Sequence, residues 1–312
     1  MLPARPVGVL GKIAAELGRA LVDRDRRGAA GAQSGRRVSA GDGWSVADVV
    51  CTCGPRDRAF EEQHTGVSIA LVLAGTFQYR GEHGRELMTP GSLMLGNAGA
   101  RFECGHEHAP GDRCVSFHYS RELFERLAAD AGLGVGDRRF RTGKLPPIRA
   151  LSPILSRTAV GAASGNDLGW EELAIELAVA ALRVGAPRPG TDRAPPADAV
   201  ARVTESVRTI ELAPAARHTL GDLARAARQS PFHYLRTFER LTGTTPHQFI
   251  LRTRLRHAAA RLATENTKVS EIALDCGFND LSTFNRTFRA EFGVSPRRYP
   301  GDGSCPRVEP RA

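Results

Sequence analysis

A stretch of the chain recurs within it, and that recurrence restricts the possible folds more than any other feature. Residues 220 to 246, LGDLARAARQSPFHYLRTFERLTGTTP, align with residues 269 to 296, VSEIALDCGFNDLSTFNRTFRAEFGVSP. Arg236-Thr237-Phe238 returns as Arg286-Thr287-Phe288, and Gly243…Pro246 returns as Gly293…Pro296, fifty residues apart in each case. Leu220, Leu223 and Ala224 match Val269, Ile272 and Ala273 at a separation of forty-nine, so a one-residue slip falls where a turn belongs. Each copy reads as a short helix with an apolar i, i+3, i+4 set, a tight turn, and a second helix opened by a capping residue, Ser230 or Asp280. That is a helix-turn-helix, present twice.

Within the second helices Tyr234, Phe238 and Leu241 fall on one stripe, with Phe284 and Phe288 as counterparts, and such a stripe must be packed down on a partner. The opposite stripe carries Phe232, Arg236 and Arg240 in the first copy and Ser282, Arg286 and Arg289 in the second. Between the copies Thr245-Pro246 predicts a capped helix start, and HQFILRTRLRHAAARLAT continues it for about five turns. A rigid helix there would fix the spacing of the two units, so that the two second helices could enter successive major grooves roughly 34 Å apart. Charge agrees: of a net +9, +7 lies in residues 200 to 300, the footprint of a nucleic-acid-binding module. Charge alone does not decide it, because a solvated arginine-rich surface looks the same, and an arginine excess can follow from base composition.

The order and spacing of these residues resemble the DNA-binding domain of the AraC/XylS family of bacterial transcription regulators. The residues that carry the resemblance are Leu223-Ala224, Ser230, Leu235-Arg236…Phe238 and Gly243…Pro246, then Arg254 and Ala258 in the joining helix. Ile272-Ala273, Gly277-Phe278, Phe284, Arg286…Phe288, and Phe292-Gly293-Val294-Ser295-Pro296…Tyr299 complete it. The resemblance implies base-edge contacts at Phe232, Leu235 and Arg236 from the first unit and at Leu281, Ser282, Thr283 and Arg286 from the second. Arginine can form a bidentate fork to guanine or hold a phosphate, and serine and threonine can bond either. For Leu235 and Leu281 the alternative is ordinary packing at a helix edge.

The rest of the 312 residues read differently. From Trp44 to Tyr119 strand-sized apolar stretches (WSVADVVC, VSIALVLAG, TFQYR, GSLMLGN, RFECG, CVSFHY) alternate with turn signals, which predicts a small antiparallel barrel or sandwich. Before it, VLGKIAAELGRALV reads as an amphipathic helix, and 23 to 43 as a mobile connection without periodicity. After it, Ser120 caps a helix through Leu127, and further helices are expected at 148 to 163 and 168 to 184. Residues 185 to 198, with prolines at 187, 189, 195 and 196, read as a linker. The expected fold class is α+β. Its parts are an N-terminal helix and mobile segment (1–43), a cupin-like effector or dimerisation domain (44–184), the linker, a double helix-turn-helix domain (199–300) and a disordered tail (301–312).

The resemblance implies a cupin-like barrel as the sensor half. A metal-binding cupin would place two histidines and a glutamate in a strand pair, then Pro-x-Gly and a further histidine. Here Glu61, His64 and Thr89-Pro90-Gly91 stand without the later histidine, so cupin catalysis is not expected. A separate set, Cys51, Cys53, Cys104, His106, His108 and Cys114 with His118 nearby, offers soft ligands for zinc or thiols for redox chemistry. Buried reduced cysteines and loop histidines are the plain alternative, and no cofactor is expected. With Cys276 and Cys305 the cysteines number six, too sparse for a disulfide framework and suited to a reducing cytoplasm. No apolar run approaches the length of a membrane span.

The expected function is therefore a sequence-specific regulator and not an enzyme, its barrel sensing an unknown small-molecule effector. Its partners would be double-stranded DNA and, by resemblance, RNA polymerase. A homodimer through the apolar stripe of 168 to 184 is a further expectation. A cupin-type metalloenzyme with a helical appendage and a scaffold without sequence preference are the competing readings.

Overall fold

The computed structural model describes residues 8–134, 138–164, 169–184 and 196–299. Most of the expected linker (185–195), the tail 301–312 and Cys305 lie outside the described residues. Helix α1 (Gly8–Arg27) leads into strands β1 (Gln33–Gly41), β2 (Trp44–Cys51), β3 (Phe60–Gln63), β4 (Val67–Gly75), β5 (Phe77–Gly81), β6 (Gly84–Met88), β7 (Leu93–Gly96), β8 (Arg101–Gly105) and β9 (Asp112–Tyr119). Then come α2 (Arg121–Asp130), β10 (Lys144–Leu145), α3 (Ser152–Ser164) and α4 (Trp170–Val184). The helices α5 (Ala197–Leu212), α6 (Leu220–Ala226), α7 (Pro231–Thr242), α8 (Pro246–Thr264), α9 (Val269–Asp275) and α10 (Leu281–Phe292) follow. The class is α+β, as the pattern predicted.

The strands form two antiparallel sheets in place of one closed barrel: β1-β2-β9-β4-β7-β10 and β3-β8-β5-β6. β4 is buried along nearly its whole length because both of its faces are covered, which is why VSIALVLAG reads as a continuous apolar run. Its Ala70 and Val72 meet Phe77, Met88, Phe102 and Cys104 between the sheets. Its Ile69, Leu71 and Leu73 meet Leu17 of α1, Phe124 of α2, Leu155 of α3 and Leu173 of α4 on the other side. β9 alternates: Val115, Phe117 and Tyr119 join the helical layer, while Asp112, Cys114, Ser116 and His118 line the space between the sheets.

Two expectations about the front half are corrected. Residues 33 to 41 are not a mobile connection; they form β1, paired along its length with β2. An exposed edge strand has little to bury, so QSGRRVSAG carries no apolar alternation, and its backbone hydrogen bonds define it. The apolar stripe of 168 to 184 is not free for a second chain, since Trp170, Leu173, Leu177 and Ala181 are spent in the core.

In the back half each helix-turn-helix has its own core against one part of α8. Tyr234, Phe238 and Leu241 of α7 pack with Leu223 of α6, Val203 and Val207 of α5, and Phe249 and Ile250 at the start of α8. Phe284, Phe288 and Phe292 of α10 pack with Ile272 of α9, Tyr299, and Leu255, Ala258, Ala259 and Ala263 farther along α8. Alanines on α8 let α9 and α10 approach closely. The two halves also touch: Leu87 of β6 enters the first core, and Val160 of α3 with Val9 and Leu10 of α1 enters the second. Lys144 Nζ, buried, donates to the carbonyls of Leu87 (2.6 Å) and Leu241 (2.8 Å), tying β6 to the end of α7.

Candidate nucleic-acid interface

The second helix of each unit begins and ends by the same chemistry. Ser230 Oγ accepts from the backbone N–H of His233, and the Asp280 carboxylate accepts from those of Ser282 and Thr283, so each cap satisfies donors of the first turn. A hydrogen bond from the Thr283 side chain, together with these backbone bonds, holds the Asp280 carboxyl below its ordinary pKa. Each helix ends on a left-handed glycine, Gly243 at φ 78° and Gly293 at φ 79°. α8 starts with a full capping box between Thr245 and Gln248 and proline at its first turn.

With the aromatic stripe facing inward, a defined set of side chains faces out. On α7 these are Phe232, His233, Arg236, Glu239 and Arg240; on α10 they are Leu281, Ser282, Asn285, Arg286 and Arg289. Leu235 and Thr283 are half-buried at the edges of these faces. Phe232 is 68% exposed and Leu281 42% exposed, although both could have been turned to the core. The Arg236 guanidinium lies 5.7 Å from the centre of the Phe232 ring, which holds it over an aromatic face. Neither His233 nor Asn285 was singled out from sequence. The signal was present for Asn285, which follows Leu281 by four residues and precedes Arg289 by four on the outward stripe.

The arginines divide by what they touch. Arg252 pairs with Glu291, Arg256 with Glu211, and Arg261 with Glu265 and Asp275, so the α8 arginines are committed to the protein. Arg254 spends its guanidinium on three carbonyls, those of Pro214 (2.8 Å), Ala216 (2.8 Å) and Gly277 (3.0 Å). Arg236, Arg240, Arg286 and Arg289 form no ion pair among the described residues. Four cations without an ion-pair partner among the described residues, on the outward faces of two repeated helices, are what a polyanion would meet.

Comparison with known proteins places this back half. A helix-turn-helix domain family matches residues 223–301. The probable transcriptional regulator LumQ of Photobacterium leiognathi is 42% identical over 71 residues, 23% of this chain and 28% of that one. The probable transcription factor PqrA of Proteus vulgaris is 30% identical over 84 residues, which are 27% of this chain and 69% of its own. The chain belongs to the AraC/XylS family of transcription regulators. Three curated AraC/XylS-type relatives, LumQ among them, are spanned over only 25% to 32% of their length. A solved structure of the DNA-binding domain of AdpA, a global transcriptional factor in complex with a target DNA, is 30% identical. It covers 31% of this chain and 88% of that one with a TM-score of 0.31.

The sheet half of this AraC/XylS protein holds a cavity of about 280 Å³ between its two sheets, lined in part by His64, Phe102, Cys104, Asp112, Cys114 and His118. The residues compared with a cupin centre do not assemble: Glu61 is exposed and pairs with Arg101, while buried His64 is bonded to Ser68 Oγ (3.0 Å) and Tyr79 OH (3.3 Å). Burial pushes His64 down to about 4. Of the soft-ligand set, Cys51 and His106 converge, and the partner they meet is Asp112, which the sequence reading did not single out. Cys53, Cys104 and Cys114 are buried free thiols, and His108 lies beside Glu107 at 3.9 Å, outside that group of three. Burial raises the Cys104 and Cys114 thiols well above their ordinary range. Among the described residues, no helix is long and apolar enough to cross a membrane.

Proposed function

We propose that the protein is a sequence-specific DNA-binding transcription regulator whose α7 and α10 enter successive major grooves of one duplex. The observation that carries this is the pair of outward faces with unpaired Arg236, Arg240, Arg286 and Arg289 beside exposed Phe232 and Leu281. Phe232, Leu235 and Arg236 read one half-site, with Phe232 on thymine methyls and Arg236 forking to a guanine. Leu281, Ser282, Thr283 and Arg286 read the other, and Arg240 and Arg289 hold phosphates. The sheet half takes an effector in its cavity, and RNA polymerase is the partner that a family of transcription regulators implies. A cupin-type enzyme is disfavoured by the exposed Glu61 and the fully bonded His64.

Binding to a defined operator, followed by fluorescence anisotropy over a salt series, tests the reading. Arg236→Ala should weaken binding by about 1 to 3 kcal/mol, roughly 5- to 150-fold, and relax preference at one base position. Arg240→Ala should weaken all sequences alike and lower the salt slope by about 1. Equal behaviour of the two variants at every base would contradict base reading by Arg236.

A further inference from the structure

One buried polar cluster has no part in DNA recognition. Cys51, the last residue of β2, stands opposite Asp112, the first residue of β9, on neighbouring strands of the larger sheet. Side chains in such a pair emerge on the same face, here the one turned toward the second sheet. From that second sheet the chain leaves β8 and brings in His106, whose Nε2 lies 2.7 Å from Asp112 Oδ1. Cys114, two residues along β9 and therefore on the same face, places its thiol 3.1 Å from Asp112 Oδ2. Ligand atoms of Cys51, His106 and Asp112 all lie within 4.8 Å of one another, and all three residues are buried.

As an apolar core this arrangement is costly. A carboxylate 6% exposed has only an imidazole and a thiol as hydrogen-bond partners among the described residues, since the neighbouring Arg113 points to the other face and bonds Asp48 and Glu16. His106 Nδ1 is buried with no partner at all. One nitrogen, one carboxylate oxygen and one sulfur converge, and the Cys114 sulfur beside the same carboxylate would complete the donor set of a tetrahedral zinc site. The cavity between the sheets is lined by Cys51, Asp112 and Cys114, which gives an ion a way in. The set differs from the cupin pattern, whose candidates Glu61 and His64 lie elsewhere on the sheets.

We propose that Cys51, His106, Asp112 and Cys114 bind a thiophilic divalent cation, zinc foremost, where β2, β9 and the segment after β8 meet. The ion joins the two sheets at this end of the sandwich. It also fixes the segment from His106 to Gly111, where a side chain added at Gly111 would press on Leu17 and Leu21 of α1.

The test uses the full-length protein, reduced and stripped of metal, titrated with zinc against a chromophoric chelator, and separately with cobalt. One equivalent of zinc per chain should bind, and the cobalt form should show thiolate-to-metal charge transfer with the strong visible bands of a tetrahedral ion. Cys51→Ser and Asp112→Asn should each weaken zinc by about 100-fold, while Cys276→Ser, remote on α9, should leave it unchanged. Because buried variants can misfold, the wild type carries an independent readout: zinc should slow alkylation of Cys51 and Cys114, located by mass spectrometry, at least tenfold relative to the metal-free chain. Absence of stoichiometric zinc in the folded wild type, a cobalt spectrum without thiolate bands, or alkylation indifferent to zinc would each overturn the proposal. None of these readouts depends on DNA binding, so the site stands or falls apart from the regulator reading.

Discussion

Arg254 is the side chain that ties the two helix-turn-helix units to the helix between them, and replacing it with methionine isolates that role. From the middle of α8 its three donors reach the carbonyls of Pro214 and Ala216 in the turn before α6, and of Gly277 in the turn between α9 and α10. A hydrogen bond from a charged donor contributes about 1.5 to 3 kcal/mol when well buried. Here the guanidinium is half-buried and the bond to Ala216 is exposed, so the freed carbonyls regain water and the sum is discounted to about 2 to 4 kcal/mol. Methionine keeps the packing of the stem, which leaves the bonds as the perturbation. For a unit of about 100 residues that energy corresponds to a fall in melting temperature of about 8 to 16 °C. Helical circular dichroism during heating measures it, with Arg225→Met as the control. The Arg225 side chain is 78% exposed and, among the described residues, pairs only with Asp222, so its loss should stay within about 0.5 kcal/mol. Equal melting of the two variants would refute the claim that Arg254 holds the units together.

Four further outcomes follow from individual residues. Arg228 occupies the turn of the first unit at φ 54°, where the second unit places Gly277 at φ 86°, so Arg228→Gly should stabilise the chain by about 0.5 to 1 kcal/mol in urea unfolding, and destabilisation would count against the strain. Gly277→Ala should do the reverse, because its Cβ would sit 2.8 Å from the Ala215 backbone. Lys144→Met leaves the carbonyls of Leu87 and Leu241 without their donor and should cost about 1 to 3 kcal/mol in the same measurement; an unchanged midpoint would show that the contact between the halves contributes nothing. Burial sets the His64 pKa near 4, facing Tyr79, His118 and Glu82, while the unfolded chain takes up its proton near 6.5. Stability is therefore full above pH 6.5 and drains as pH falls toward 4, by at most about 1.4 kcal/mol per pH unit. Fluorescence of Trp44 and Trp170, both in the front half, should show that slope in the wild type and a flatter one in His64→Gln.

What could be read from the sequence was whatever a single side chain or a period encodes. Ser230, Asp280 and Thr245 are caps whose chemistry is local, and each does in space what its type suggests. The aromatic stripe of α7 and α10 follows from the helical period alone. β1 and β3 escaped notice because exposed edge strands with the patterns QSGRRVSAG and FEEQ need no apolar alternation, and only their pairing defines them. β6 was hidden by the turn-like residues at its start, although Leu87 and Met88 are buried. Asp112 was not among the candidate ligands; its place opposite Cys51 depends on strand register, which no local pattern states. The commitment of the α8 arginines to Glu211, Glu265 and Glu291 is likewise a matter of tertiary contact. Without it the free arginines of α7 and α10 cannot be told from the rest.

The central claim is that two outward faces on a rigid joining helix read two half-sites on one duplex. Selection of binding sites from randomised duplex DNA by the full-length protein, repeated with Arg236→Ala and Arg286→Ala, tests it most directly. The account predicts a bipartite motif with half-sites about one helical turn apart, each variant losing preference in a different half. A single compact motif, or the same loss from both variants, would contradict it.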